Sequence, residues 1–149
     1  MRLIEVLTAL VVMTTAVVAA ASLVVVSSAS VRSARVQTWA ALLAQDKLGD
    51  LCARSWTPDV SPPDSLQHDV AGWVEWLDAS GRQVTGGPSV HNAVYVRRWK
   101  VQSLAADPDN ARIVQVLVTT VVAGALRPGP LAARPGDAVV STIRTRLSR

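Results

Sequence analysis

The sequence predicts an α+β fold, a long N-terminal helix carrying a small antiparallel β-sheet head, on three observations. Residues 6–26, VLTALVVMTTAVVAAASLVVV, form an uncharged apolar run. Apolar residues then recur at helical spacing, with no glycine before Gly49 and no proline before Pro58. Later segments switch to alternation with a period of two, rich in β-branched residues and separated by turn chemistry.

The apolar run has 21 residues. At about 1.5 Å per residue it is long enough to cross a hydrocarbon core of roughly 30 Å. The next apolar stretch, Ile113 to Gly124, is interrupted by Gln115, Thr119 and Thr120 and is too short to span. One N-terminal anchor, residues 1–28, is therefore expected. An amphipathic continuation over 29–56 follows, with Val36, Ala40, Leu43, Ala44, Leu48 and Leu51 on one stripe. The helix is expected to end near Arg54, closed by Pro58, Pro62 and Pro63, which lack an N–H donor and disfavour helix before them.

Residues 57–149 read as the β-rich head. Val70 to Leu77 is a short strand containing Trp73 and Trp76, followed by a turn at Ala79-Ser80-Gly81-Arg82. Ala93 to Val101 alternates, sending Val94, Val96, Arg98 and Lys100 one way and Tyr95, Arg97, Trp99 and Val101 the other. Ser103 to Ala111 reads as a loop built on Asp107-Pro108-Asp109-Asn110. Arg112 to Ala123 is the most β-branched strand, and Gly124 to Gly136 is a Pro/Gly-rich loop. A last strand, Ala138 to Leu147, places Val139, Ser141, Ile143, Thr145 and Leu147 on one face. The sheet is expected to lie on the second half of the helix, so that both bury their apolar faces.

Composition narrows the function. Half of the 149 residues are apolar, yet Phe is absent and aromatics are only 4%, which suits membrane helices and strands rather than an aromatic-lined pocket. The net charge of +4 divides evenly, +2 before residue 57 and +2 after it, the pattern of a mixed surface rather than a nucleic-acid footprint. Cys52 is the only cysteine and makes neither an intramolecular disulfide nor a cysteine-based metal site.

Glu5 is the sharpest chemical anomaly, a carboxylate directly before the uncharged run. Such a group costs about 2.5–3.5 kcal/mol at the centre of a spanning helix and less near the interface. Its simplest partner is the α-amino group of a neighbouring chain; the alternative is that Glu5 reaches the membrane surface alone.

Met1-Arg2-Leu3-Ile4-Glu5-Val6-Leu7-Thr8-Ala9-Leu10, with the uncharged run behind it, resembles the mature N-terminus of type IV pilin-like proteins, the class III signal of pilins and pseudopilins. The resemblance implies a pilin-like fold and a prepilin peptidase that cuts after a Gly and methylates the new α-amine. Met1 falls on the methylated first residue and Glu5 on the glutamate needed for assembly. Arg2 departs from the family's usual Thr, and Ser22 stands where many major pilins carry a kinking Pro, implying a straighter anchor. Met1 is read either as the mature residue, behind a basic leader ending in Gly, or as an initiator. Only Arg2 precedes the run whereas Arg32 and Arg35 follow it, so a basic leader would also restore the positive-inside pattern. A secretory signal peptide cut near Ala19-Ala20-Ala21 is the competing reading, opposed by the length of the apolar core.

Trp39 to Leu48, WAALLAQDKL, resembles the corresponding helix of minor pilins and of minor pseudopilins of type II secretion, and the Tyr95–Val101 and Ile113–Val118 strands resemble their heads. The resemblance implies a non-enzymatic filament subunit without a cofactor. Its partners would be other pilin or pseudopilin subunits, the prepilin peptidase/methyltransferase, an inner-membrane assembly platform and membrane lipid. It would sit single-pass in the inner membrane with its head extracytoplasmic. A membrane-anchored adhesion or DNA-binding module is the alternative, with Arg97, Arg98 and Lys100 as its candidate DNA contacts. Alternation sends Arg97 and Arg98 to opposite faces, which argues against one DNA groove. His68 and His91 have no nucleophile motif beside them, so no catalytic residue is assigned. Asp107, Asp109 and Asn110 offer oxygen ligands but lack the closing Glu of a calcium loop, so no metal site is assigned either.

Overall fold

A computed structural model of the chain describes residues 2–56, 60–85, 92–121 and 136–146. One helix, α1 (Arg2–Ala53), precedes four strands, β1 (Val74–Leu77), β2 (Tyr95–Leu104), β3 (Asp107–Thr120) and β4 (Ala138–Thr145). The chain divides into two compact units, residues 1–35 and 36–149. The second unit, called the head unit below, begins at Val36, inside the helix. Met1, Pro58, His91, Leu147 and all but the last residue of the Gly124–Gly136 loop lie outside the described residues.

Within the head unit the strands form one antiparallel sheet in sequence order, β1-β2-β3-β4. The α+β arrangement follows from two matched stripes. On α1 the buried side chains are Ala40, Leu43, Ala44, Lys47 and Leu51, a spacing of three and four that keeps them on one face. Ala40 and Ala44 are wholly buried, and their small side chains let the sheet approach the helix backbone. On the sheet, alternation brings Leu77, Tyr95, Trp99, Val114, Val116, Val118 and Ala138 into the same core. Trp76, Val96, Ala111 and Leu117 have the opposite parity. They are buried on the other face, beyond the helix-facing core.

Local chemistry sets the connections. After β1, Asp78 Oδ1 accepts from Ser80 N (2.8 Å), Ser80 Oγ (2.7 Å) and Arg82 N (3.0 Å), while Gly81 N donates to Asp78 O. The expected turn at residues 79–82 is thereby an Asx-type turn closed by Gly81, whose φ is +83°. The strand expected from Val70 begins only at Val74. Trp73 N donates back to Val70 O, and Gly72 has a φ of +84°, so the chain turns there instead of extending. Beyond β1, Ser61 takes up the free side of β2: its N and Oγ donate to Val101 O, and its Oγ accepts from Val101 N.

One expectation about the loops is corrected. The loop assigned to Ser103–Ala111 is shorter, because β2 runs to Leu104, Ala105 and Ala106 make the turn, and β3 starts at Asp107. The turn chemistry of Asp107–Asn110 is spent on a break in register instead. Ser103 pairs with Arg112 and Leu104 with Asp107, so four β3 residues have no opposite number on β2. Asp107 Oδ1 accepts from Asn110 N and Nδ2 across that bulge. On β4 the alternation is the expected one, and the structure adds which face is buried. Val139, Ser141, Ile143 and Thr145 do share a face, but it is the exposed one; Ala138, Val140, Thr142 and Arg144 face the helix. The register decides this, since Val140 pairs with Val116 and Ala138 with Val118, both core residues of β3.

A Cβ added at Gly81 would stand 2.7 Å from Leu43 Cδ2, in a backbone conformation that L side chains rarely adopt. Gly81→Ala is therefore expected to destabilise the head by about 1–2 kcal/mol. A thermal melt of the detergent-solubilised full chain, followed by circular dichroism, measures it.

Candidate functional site

The first candidate is the helix surface of residues 2–35. Its side chains are exposed without exception, including fifteen large apolar ones from Leu3 to Val31. Leaving a large aliphatic side chain in water rather than burying it costs about 1.5–3 kcal/mol, so the total is on the order of 20–40 kcal/mol. That exceeds the roughly 5–15 kcal/mol by which a domain is stable, so this surface must be covered by something outside the chain. Among the described residues it is the one helix long and apolar enough to cross a membrane, and it is compatible with a single-pass anchor.

Six hydroxyls of this stretch are provided for by the helix itself. The hydroxyls of Thr8, Thr14, Thr15, Ser22, Ser27 and Ser28 donate to carbonyls three or four residues back, at 2.8–3.0 Å. Each hydroxyl is satisfied within its own helix, as a hydrocarbon surrounding requires. Glu5 is the one carboxylate of residues 2–35. It lies in the first turn of α1, where the helix dipole favours a negative charge, and its side chain is exposed. Met1, its expected partner on a neighbouring chain, lies outside the described residues.

The second candidate, the basic strand, is divided by the structure. Arg97 faces the helix and is buried: its Nε and Nη2 donate to Glu75 Oε2 at 3.0 and 2.6 Å, and its Nη1 donates to Leu43 O at 3.0 Å. Asp46 adds a longer contact at 3.4 Å. Arg98 faces the other way and pairs with Asp69 at 2.8 Å. Lys100 is half-buried and shares the face of Arg98. Arg97 is therefore withdrawn from any surface that Arg98 and Lys100 present.

Pattern reading missed a buried ionic cluster. Lys47 Nζ donates to Glu75 Oε1 and stands 4.0 Å from the centroid of the Trp99 ring, so Glu75 receives Lys47 on one oxygen and Arg97 on the other. Burial by itself would push the Glu75 carboxyl up, but the hydrogen bonds and charges of Lys47 and Arg97 outweigh it and hold the group below the usual carboxylate range. Two of the cluster's members stand at apolar positions of the pattern, but nothing in the sequence pairs them with Glu75. Lys47 occupies a stripe position of α1, and Arg97 sits between Tyr95 and Trp99 on the core-facing parity of β2.

The chemistry of this cluster is structural: it ties β1 and β2 to the helix backbone. Among the described residues no group of three or more His, Cys, Asp or Glu side chains is placed to hold a metal. His68 lies in the turn that follows Asp64, and Asp107 and Asn110 bind each other. No protein-family model matches the chain, and comparison with curated proteins and with solved structures finds no match.

Removing one partner of a buried ionic cluster leaves uncompensated charge. Glu75→Ala is therefore expected to cost about 3–5 kcal/mol in a chemical or thermal melt. Because the folded carboxyl titrates below its ordinary value of 4.5, its stabilisation is complete above that pH and is lost as pH falls below it. The melting temperature should thus decline below pH 4.5, and Glu75→Gln should flatten that part of the decline.

Proposed function

We propose that this chain is a minor pilin or pseudopilin, a non-enzymatic subunit that assembles into a type IV pilus or a type II secretion filament. The reading is carried by one observation. A carboxylate in the first turn, Glu5, directly precedes a 21-residue uncharged helix surface that the chain itself leaves uncovered. The same helix continues without a break into the core of a small antiparallel head. A plain lipid anchor needs neither a charge at that position nor an unbroken helix into the head.

In this reading the helix first resides in the inner membrane, with the head on the extracytoplasmic side. Extraction into the filament exchanges lipid for the anchors of other copies, so the apolar surface stays covered throughout. Glu5 is neutralised there by the methylated α-amine of a neighbour's Met1. In a low-dielectric surrounding that pair is much stronger than in water, and it fixes the axial offset between subunits. The alanines and valines of the run allow close helix packing, and assembly rests on many lateral contacts. The prepilin peptidase/methyltransferase and the inner-membrane platform are the machinery such a subunit uses.

Glu5→Ala is expected to leave membrane association intact while reducing incorporation into sheared filaments at least tenfold by immunoblot. Unchanged incorporation contradicts the assembly role. Intact-mass spectrometry of the mature chain should find methyl-Met at residue 1 with nothing upstream. If an unrelated apolar span can replace residues 1–28 without loss of function, the chain is a tethered module instead.

A further inference from the structure

The part of α1 that follows the apolar run carries a charge pattern of its own. Between Glu5 and Asp46 the sequence has forty residues without a carboxylate, and the only charged ones are Arg32 and Arg35. Both side chains are exposed and, among the described residues, neither enters an ion pair. Lys47, Arg97 and Arg98 differ in this respect, since each is matched to a carboxylate of the chain.

Position gives the pair a direction. Three residues apart on a helix, the two side chains lie on one face. The Cα–Cβ bonds of a helix tilt toward its N-terminus, so both arginines lean back toward the apolar run. At about 1.5 Å per residue, the Arg32 Cα stands roughly 9 Å past Val26 and the Arg35 Cα roughly 13–14 Å. The headgroup layer extends about 5–8 Å beyond the hydrocarbon on each side of a bilayer. Side chains as long as arginine, leaning back from those positions, carry their charges into that layer. On the other side of the run Arg2 is accompanied by Glu5, whereas Arg32 and Arg35 have no anion beside them. The unbalanced charge therefore sits at one end of the run only.

We propose that Arg32 and Arg35 bind the phosphates of anionic lipid headgroups at the C-terminal edge of the apolar run. The planar guanidinium, with paired donors and weak hydration, suits a phosphate better than an ammonium does. The inference rests on the anchor reading of residues 6–26 and makes it more specific by naming the lipid. An anionic surface favours each such cation about fivefold, and the attraction decays within a Debye length. A zwitterionic lipid offers the same phosphate but cancels its charge, so preference for the anionic headgroup is the mark of the site.

The test reconstitutes the full chain in phosphatidylcholine vesicles with a trace of spin-labelled phosphatidylglycerol or spin-labelled phosphatidylcholine. Electron paramagnetic resonance then separates lipid held at the protein from bulk lipid. At low salt phosphatidylglycerol should associate at least threefold more strongly than phosphatidylcholine, and molar salt should bring the ratio toward one. Arg32→Gln combined with Arg35→Gln should abolish the preference, while Arg2→Gln, at the other end of the run, should keep it. The proposal is overturned if the unaltered chain shows a ratio near one, if the double variant keeps the preference, or if Arg2→Gln removes it as completely. A double variant that keeps the preference but loses filament incorporation would assign the two arginines to contacts between subunits instead. Failure of the anchor reading looks different, because then no lipid of either kind is held at the protein.

Discussion

A single helix supplies two surfaces with opposite needs, and the rest of the molecule follows from the place where one gives way to the other. Before Val36 the described side chains of α1 are all exposed; from Ala40 onward five side chains of the same helix are buried under the sheet. The first stretch has an apolar surface with nothing in the chain to cover it, and the second has a narrow apolar stripe that the sheet covers fully. The first is therefore stable only where lipid or other apolar helices replace water. The second is a conventional helix-on-sheet core whose sequence departs from the apolar rule at one stripe position, Lys47.

That departure organises the head. Lys47, Glu75 and Arg97 come from the helix, β1 and β2, and the one carboxylate takes a cation on each oxygen, with Asp46 at the edge as a second, exposed anion for Arg97. A purely apolar stripe would bury as much area but would tolerate sliding of the sheet along the helix. Hydrogen bonds from Arg97 to both Glu75 and the Leu43 carbonyl fix one register. The same arrangement withdraws Arg97 from the surface, and Arg98 is engaged with Asp69, so two of the three cations of that strand are held in ion pairs within the chain.

Much of this was legible in the sequence, for reasons that differ by element. The helix was legible end to end, since an uncharged run followed by a three-four stripe without Pro has few other solutions. The Ser80-Gly81 turn was legible because its chemistry is local. What sequence could not settle was which face of β4 is buried. Val139 and Ile143 make the more apolar side, yet the pairing of Val140 with Val116 turns that side outward. Register is a property of two strands, and a single strand's alternation carries no sign. The bulge at Asp107–Asn110 was misplaced for a related reason: turn residues mark a departure from regular pairing but not whether it is a loop or a bulge. In the candidate site, Glu5 was legible as a lone charge against an apolar background. The ionic cluster was not, because its three members are spread over fifty residues and only folding brings them together.

The claim at the centre of this account is that residues 6–26 are shielded from water on every side, by lipid or by other anchors. A single-cysteine scan of α1 in a Cys52→Ser background, probed in spheroplasts with a membrane-impermeant maleimide, measures this directly. Positions from Val6 to Val26 should all be unreactive, and reactivity should appear from about Ser28 onward. A repeating set of reactive positions within 6–26, spaced three and four apart, would mean that one face of the helix meets water, and the anchor reading would be wrong.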